Sequence, residues 1–390
     1  MLLVSSSRTW LAALLLLLPA LAQATPTNVI VVIGDGMGPA HEEAARLYNG
    51  GALAWDSAPH QAEVTTHSLH GVTDSAAAAS AMATGVKYNN LSVSRDAIAM
   101  VDYPTSLEHH AALGKSTGLV TTSYIEDGTP AAFGAHADHR LLYPEIVSDY
   151  LTGSRPNVLL GSTQPGFVFG PGIDPAQAAA AGYTVALDRA QLQAIDITTT
   201  DFVSGQFGAD EMPSEYEYSL GGNIFYDTQP FLSEMASFAL DILEQDPDGF
   251  FLLIEQEGID IAGHADHTGP SRIGADVFAT LELSDTLQLV LDWIAARPDP
   301  SDTLLIVTAD HETGGLEILA DNGAGNLPTV AYSTTGHTST NVNAYAWGPN
   351  SKLVTGLIDN TDIFAISTVP EPSLGLLLAC AAVLAAFLRR

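Results

Sequence analysis

Four short runs along the chain are apolar at nearly every position: Asn28 to Ile33 (NVIVVI), Gly118 to Thr122, Phe250 to Ile254 and Thr303 to Thr308. A strand with only one buried face alternates apolar and polar residues. Runs without that alternation predict strands covered on both sides, as in a parallel sheet. Between them the apolar positions recur at helical spacing, over Pro39 to Tyr48, Ser75 to Thr84, Pro144 to Leu151, Pro230 to Glu244 and Arg272 to Ala296. Strands alternating with helices predict an α/β fold with a doubly wound, mostly parallel central sheet and helices on both faces. Residues 153–219 are rich in Gly, Ala, Pro and Thr and poor in charge, and read as an irregular insertion or cap over the sheet.

The two ends carry different patterns. Arg8, the apolar stretch Trp10 to Leu21 and the small-x-small triplet Ala22-Gln23-Ala24 predict a secretory signal peptide over residues 1–24. At the other end Val369-Pro370-Glu371-Pro372 precedes an apolar stretch, Leu374 to Leu388, and then Arg389-Arg390. That order predicts a short transmembrane helix with a basic end held on the cytoplasmic side. It resembles the PEP-CTERM sorting signal of Gram-negative bacteria. This resemblance implies export, transient anchoring by residues 369–390, and cleavage by an exosortase-type sorting protease at the periplasm, cell surface or extracellular matrix. Residues 25–368 would form the folded body. The single cysteine, Cys380, lies in the tail, so that body can form no internal disulfide.

The formal net charge is −32, from 45 acidic and 13 basic residues. Nucleic-acid binding needs clustered Lys and Arg, so this balance argues against it. An anionic small substrate would be repelled by such a surface unless strong positive charge were supplied locally, and bound metal ions supply it.

Candidate chemistry gathers at the predicted strand ends, where doubly wound sheets bind their ligands. Asp35 follows the first strand in a Gly34-Asp35-Gly36-Met37-Gly38 turn; Asp127 lies beyond the second; Glu255 ends the third; Asp310 and His311 end the fourth. Asp260 and His264, four residues apart, share a face if their segment is helical, and a carboxylate with an imidazole is ordinary zinc chemistry. His337, in a Gly- and Thr-rich loop, would be a third ligand that leaves one position open. Glu257 competes with Glu255 for the same role. Asp127 and Thr129 offer oxygen alone, which suits Mg²⁺. Ser75 opens an Ala-rich helix after Asp74, a position that either caps the helix or presents a hydroxyl to an anion at its positive end. No Gly-x-Ser-x-Gly elbow surrounds it, so its activation points to direct metal coordination. Arg140 is one of few cations, and a guanidinium grips two phosphate oxygens at once.

Taken in sequence order, the Asp-Gly-Met-Gly turn, Asp74-Ser75-Ala76 with Gly85-Val86-Lys87, Thr308-Ala309-Asp310-His311 and Gly336-His337-Thr338 resemble the alkaline phosphatase family from Asn28 to about Pro349. The resemblance implies phosphate monoester hydrolysis through a phosphoserine on Ser75, two zinc ions and one magnesium, and it allows a homodimer. Asp260, His264 and His337 would hold the first zinc; Asp35, Asp310 and His311 the second; Asp35, Thr129 and Glu255 the magnesium, with Asp127 at or beside it. Arg140 would clamp phosphate. The chain departs from the family in the short stretch between Glu312 and Gly336. It departs again at Ile261, where some relatives place a polar side chain. A sulfatase would require a Cys/Ser-x-Pro-x-Arg setting that Ser75 lacks. A phosphodiesterase of the same superfamily and a non-catalytic exported matrix protein are the remaining alternatives.

Overall fold

The computed structural model describes residues 26–96, 98–163, 170–208, 212, 228–265 and 270–368. The expected signal peptide and sorting tail both lie outside the described residues. Among the described residues no helix is long and apolar enough to cross a membrane.

Ten strands form one sheet: β1 (Asn28–Gly34), β2 (His60–Thr65), β3 (Ser116–Tyr124), β4 (Val158–Ser162), β5 (Thr184–Ala186), β6 (Val203–Gln206), β7 (Phe250–Gln256), β8 (Thr303–Thr308), β9 (Val342–Trp347) and β10 (Gly356–Asp359). Their spatial order is β10-β2-β9-β8-β1-β7-β3-β4-β6-β5. Every pairing is parallel except those of β9, which runs against both β8 and β2. The four runs read from the sequence are the four central strands β8, β1, β7 and β3, and every residue of β1, β7 and β8 is buried.

Helices cover both faces, as expected. On one side α1 (Pro39–Asn49), α4 (Leu232–Leu243) and α6 (Pro270–Ala296) pack together. On the other, α2 (Ser75–Thr84) packs on α3 (Gly128–Gly134), flanked by the helices Ser106–Ala112 and Asp362–Thr368. A short α5 (Gly258–His264) follows β7 and leans on α6.

The described part of 153–219 differs from the expected irregular cap. It supplies β4, β5 and β6, which extend the sheet in its own plane beyond β3. These strands are three to five residues long, too short to leave a periodic signal among the surrounding Gly, Ala and Pro. Strand β2, HQAEVT, shows the half-buried alternation of a strand near an edge.

Register places the site. Ile33 lies opposite Thr308 of β8 on one side and Glu255 of β7 on the other, and Glu255 in turn lies opposite Thr121 of β3. The carboxyl ends of four neighbouring strands are therefore level. The loops that leave them, with Asp310-His311, Asp35, Glu255 and the Asp127–Thr129 turn, start from one line.

Candidate functional site

The turn after β1 is pinned from both sides. The Asp35 amide donates to the Gln256 carbonyl (3.0 Å), and the Gly36 amide donates to Asp310 Oδ1 (3.1 Å). Gly36 has φ +75°, and a Cβ there would stand 2.7 Å from the Cα of Asp260. Only glycine lets this turn come so close to α5. Ser75 is the first residue of α2, and Asp74 caps that helix by accepting from the Ala77 amide (3.1 Å). The Ser75 side chain, 4 % exposed, places Oγ 3.3 Å from His311 Nε2.

Hydrogen bonding fixes which ring nitrogens carry protons. His264 Nδ1 meets the Thr335 carbonyl at 2.7 Å and His337 Nδ1 meets the Thr73 carbonyl at 2.8 Å. A carbonyl only accepts, so both Nδ1 atoms carry the proton. In the neutral rings both Nε2 atoms then present lone pairs, yet they face each other at 2.9 Å. Asp260 closes the triangle, with Oδ2 3.2 Å from His264 Nε2 and Oδ1 3.5 Å from His337 Nε2. His311 follows the same logic. The Thr313 hydroxyl donates its one proton to Asp260 Oδ1, so it accepts from His311 Nδ1 at 3.2 Å. The His311 Nε2 lone pair then points at Asp310 Oδ2 (3.1 Å) and Asp35 Oδ1 (3.6 Å). Those two buried oxygens have no hydrogen-bond partner. Lone pairs that converge without intervening protons fit bound cations, and the tied-back Nδ1–H groups are how metal-binding histidines are oriented.

Three groups of side chains bring ligand atoms within 4.8 Å of one another: Asp260 with His311 and His337; Asp35 with Asp310 and His311; and Asp35 with Glu255 and Glu257. Thr129 lies beside the third group, its Oγ1 3.4 Å from Asp35 Oδ2. Burial drives four of the carboxyls upward, whereas Asp260 is lowered against its burial by the hydrogen bond to His264 and by the neighbouring histidines. Asp35 stands well above the usual carboxylate range through burial and then Asp310. Burial and Asp260 push Asp310 up to about 7. Burial pushes Glu255 up to about 8 against the Thr121 hydroxyl that donates to it at 2.5 Å. Burial and Asp127 raise Glu257. Burial, then the neighbouring His337, lowers His311. Protons are thus held where divalent cations would relieve the same crowding.

The predicted residues Asp35, Ser75, Thr129, Glu255, Asp260, His264, Asp310, His311 and His337 all meet in this one place. Asp127 and Arg140 stand slightly apart. Arg140 Nη2 bonds Asp127 Oδ1 (2.6 Å) and Nη1 bonds Asp74 Oδ2 (3.3 Å). The other Asp127 oxygen accepts from Ser123 (2.9 Å), and Asp127 belongs to none of the three groups. It buttresses the guanidinium beside the start of α2. Thr313 and Thr121, which hold Asp260, His311 and Glu255 in place, carry no sequence signal that would single them out. His311 belongs to two groups, an arrangement that spacing did not suggest.

The sequence model of the family described as alkaline phosphatase matches residues 26–154 and 173–329. Alkaline phosphatase H of Pseudomonas aeruginosa is 30% identical over 416 residues, covering 88% of this chain and 85% of that protein. The streptomycin-6-phosphate phosphatase of Streptomyces griseus is 32% identical over 437 residues, covering 92% and 95%. Among solved structures, the cold-active alkaline phosphatase of Shewanella sp. matches with a TM-score of 0.74 at 28% identity, over 89% of this chain and 100% of that one. A TAB5 alkaline phosphatase variant with Mg bound matches with a TM-score of 0.73 at 25% identity. With its sheet, its ligand-bearing strand ends and these relatives in agreement, the chain belongs to the alkaline phosphatase family and is a phosphatase.

Proposed function

We propose that this phosphatase hydrolyses phosphate monoesters through a covalent phosphoserine on Ser75, with two zinc ions and one magnesium. The reading rests on one observation: the Ser75 hydroxyl stands at the start of α2, 3.3 Å from a His311 Nε2 whose lone pair faces two unpartnered carboxylate oxygens. Asp260, His264 and His337 are the residues that would hold the first zinc. Asp35, Asp310 and His311 would hold the second, and Asp35, Glu255 and Thr129 the magnesium. Bound there, the ions supply Lewis acidity that lowers the pKa of the serine and of water and neutralises the leaving oxygen.

The remaining work falls to the chain itself. Ser75 Oγ attacks phosphorus in line, the bond to the ester oxygen breaks, and the alcohol departs with a proton. Water then attacks the phosphoserine from the side the alcohol left, opposite Oγ; the Oγ–P bond breaks, and inorganic phosphate leaves as the serine regains its proton. The start of α2 directs the positive end of its dipole at the phosphoryl group. The Arg140 guanidinium, braced by Asp74 and Asp127, pairs with phosphoryl oxygens, where the transition state carries its charge. A diester lacks one of those charged oxygens, so Arg140 favours monoesters.

Hydrolysis of p-nitrophenyl phosphate by the zinc- and magnesium-loaded protein tests this. Chelation and Ser75→Ala are each expected to lower kcat/KM by at least about a thousandfold, on the scale of a lost nucleophile. Activity that survived chelation would refute the ligand assignment, and activity that survived Ser75→Ala would refute the phosphoserine.

A further inference from the structure

We infer that Glu257 is a third carboxylate ligand of the oxygen-only site with Asp35 and Glu255, and that its charge makes phosphate binding depend on a hard cation there. The inference rests on the proposed metal-dependent function and adds to it a ligand and a form of control.

Strand geometry gives the first reason. Neighbouring residues of β7 point to opposite faces, and Glu257 follows directly after its last residue, with helical backbone angles. Gln256 turns to one side, where its Nε2 donates to Glu282 of α6 at 2.8 Å. Glu255 and Glu257 turn to the other, toward Asp35, and ligand oxygens of all three lie within 4.8 Å of one another. The backbone is fixed at this point: the Glu257 amide donates to Thr122 Oγ1 (2.9 Å) and the Gly258 amide to Gln256 Oε1 (2.8 Å).

The second reason is the state of the carboxylate. Glu257 is only 9 % exposed. Among the described residues no donor bonds its carboxylate, and the nearby Arg140 is taken up by Asp127 and Asp74. A buried carboxylate without a donor or a cation is costly. Asp127, the acid two residues before Thr129, has both oxygens engaged by Gly128, Arg140 and Ser123.

Charge then sets the consequence. The three ligand groups contain five carboxylates: Asp35, Glu255, Glu257, Asp260 and Asp310. With all five ionised, two zinc ions bring four positive charges against five negative ones, which leaves a net negative centre for a phosphate dianion. A third divalent ion reverses the sign. Three carboxylates and a hydroxyl, with no imidazole, favour Mg²⁺ or Mn²⁺ over zinc.

Titration of the zinc-loaded protein with Mn²⁺, followed by electron paramagnetic resonance, tests the ligand. Calorimetry with inorganic phosphate in the absence of Mg²⁺ tests the control. Glu257→Gln is expected to weaken Mn²⁺ binding by more than tenfold and to tighten phosphate binding to the zinc-only form. Glu257→Asp should keep most of the Mn²⁺ affinity, and circular dichroism checks that each variant is folded. If Glu257→Gln binds Mn²⁺ as the parent does, Glu257 is not a ligand and the inference falls, while the phosphatase reading stands. If the parent itself binds no Mn²⁺ once zinc-loaded, the third site fails and takes the inference with it.

Discussion

Thr313 does with one hydroxyl what the sequence gives no hint of. It donates to Asp260 and accepts from His311, so it links two of the three ligand groups and sets the tautomer of the histidine beside Ser75. Residues that orient metal ligands in this way cost about 10–100-fold when removed. Thr313→Val is therefore expected to lower kcat/KM within that range, and Thr313→Ser to restore most of it. A steady-state comparison at saturating zinc that showed no difference between the two variants would remove this role. Part of the site was legible because Asp35, Glu255, Asp310 and His311 sit at or just after the ends of apolar strands. What was not legible was direction. Asp127 and Glu257 are both acids close to expected ligands, and nothing in their spacing tells that one turns to Arg140 and the other toward Asp35. Folding decides that through Ser123, Gly128 and Thr122.

At the scale of elements, the βα turn at Gly36 and helix α2 bring the two halves of the site together. Gly36→Ala would force a left-handed residue and place a methyl against the Asp260 backbone. Such strain costs about 1–3 kcal/mol. Chemical denaturation of the metal-free variant should show a loss of that size, and an unchanged midpoint would mean the turn relaxes freely. The central strands β1, β3, β7 and β8 were legible because burial on both faces makes them continuously apolar. The outer strands were not. β2 is half exposed, β9 runs antiparallel through a mixed sequence, and β4 to β6 are brief runs within a Gly- and Ala-rich stretch. Their pairing is set by neighbours distant in sequence, which a local pattern does not record.

Over the whole molecule, stability and metal content are one question. No cysteine lies within residues 26–368, so no disulfide braces the body. Burial raises Asp310 to about 7 and Glu255 to about 8 in the metal-free fold, whereas the unfolded chain titrates them near 4. Between about pH 4 and 8 the metal-free fold thus holds protons that the unfolded chain has already lost, and its stability falls as pH rises through that window to the folded values. Metal ions displace those protons, so the loaded protein loses stability in the opposite direction, as acid competes for the ligands. Calorimetric scans with and without chelator should give Tm slopes of opposite sign across that range; parallel slopes would mean the carboxyls are not the metal ligands. Asp35, the carboxylate that two clusters hold in common, has a further effect. A cation arriving on either side of it withdraws the proton and orients the carboxylate for its neighbour. Occupancy on its two sides would therefore be linked, and the affinity read at one position would depend on whether the other is filled.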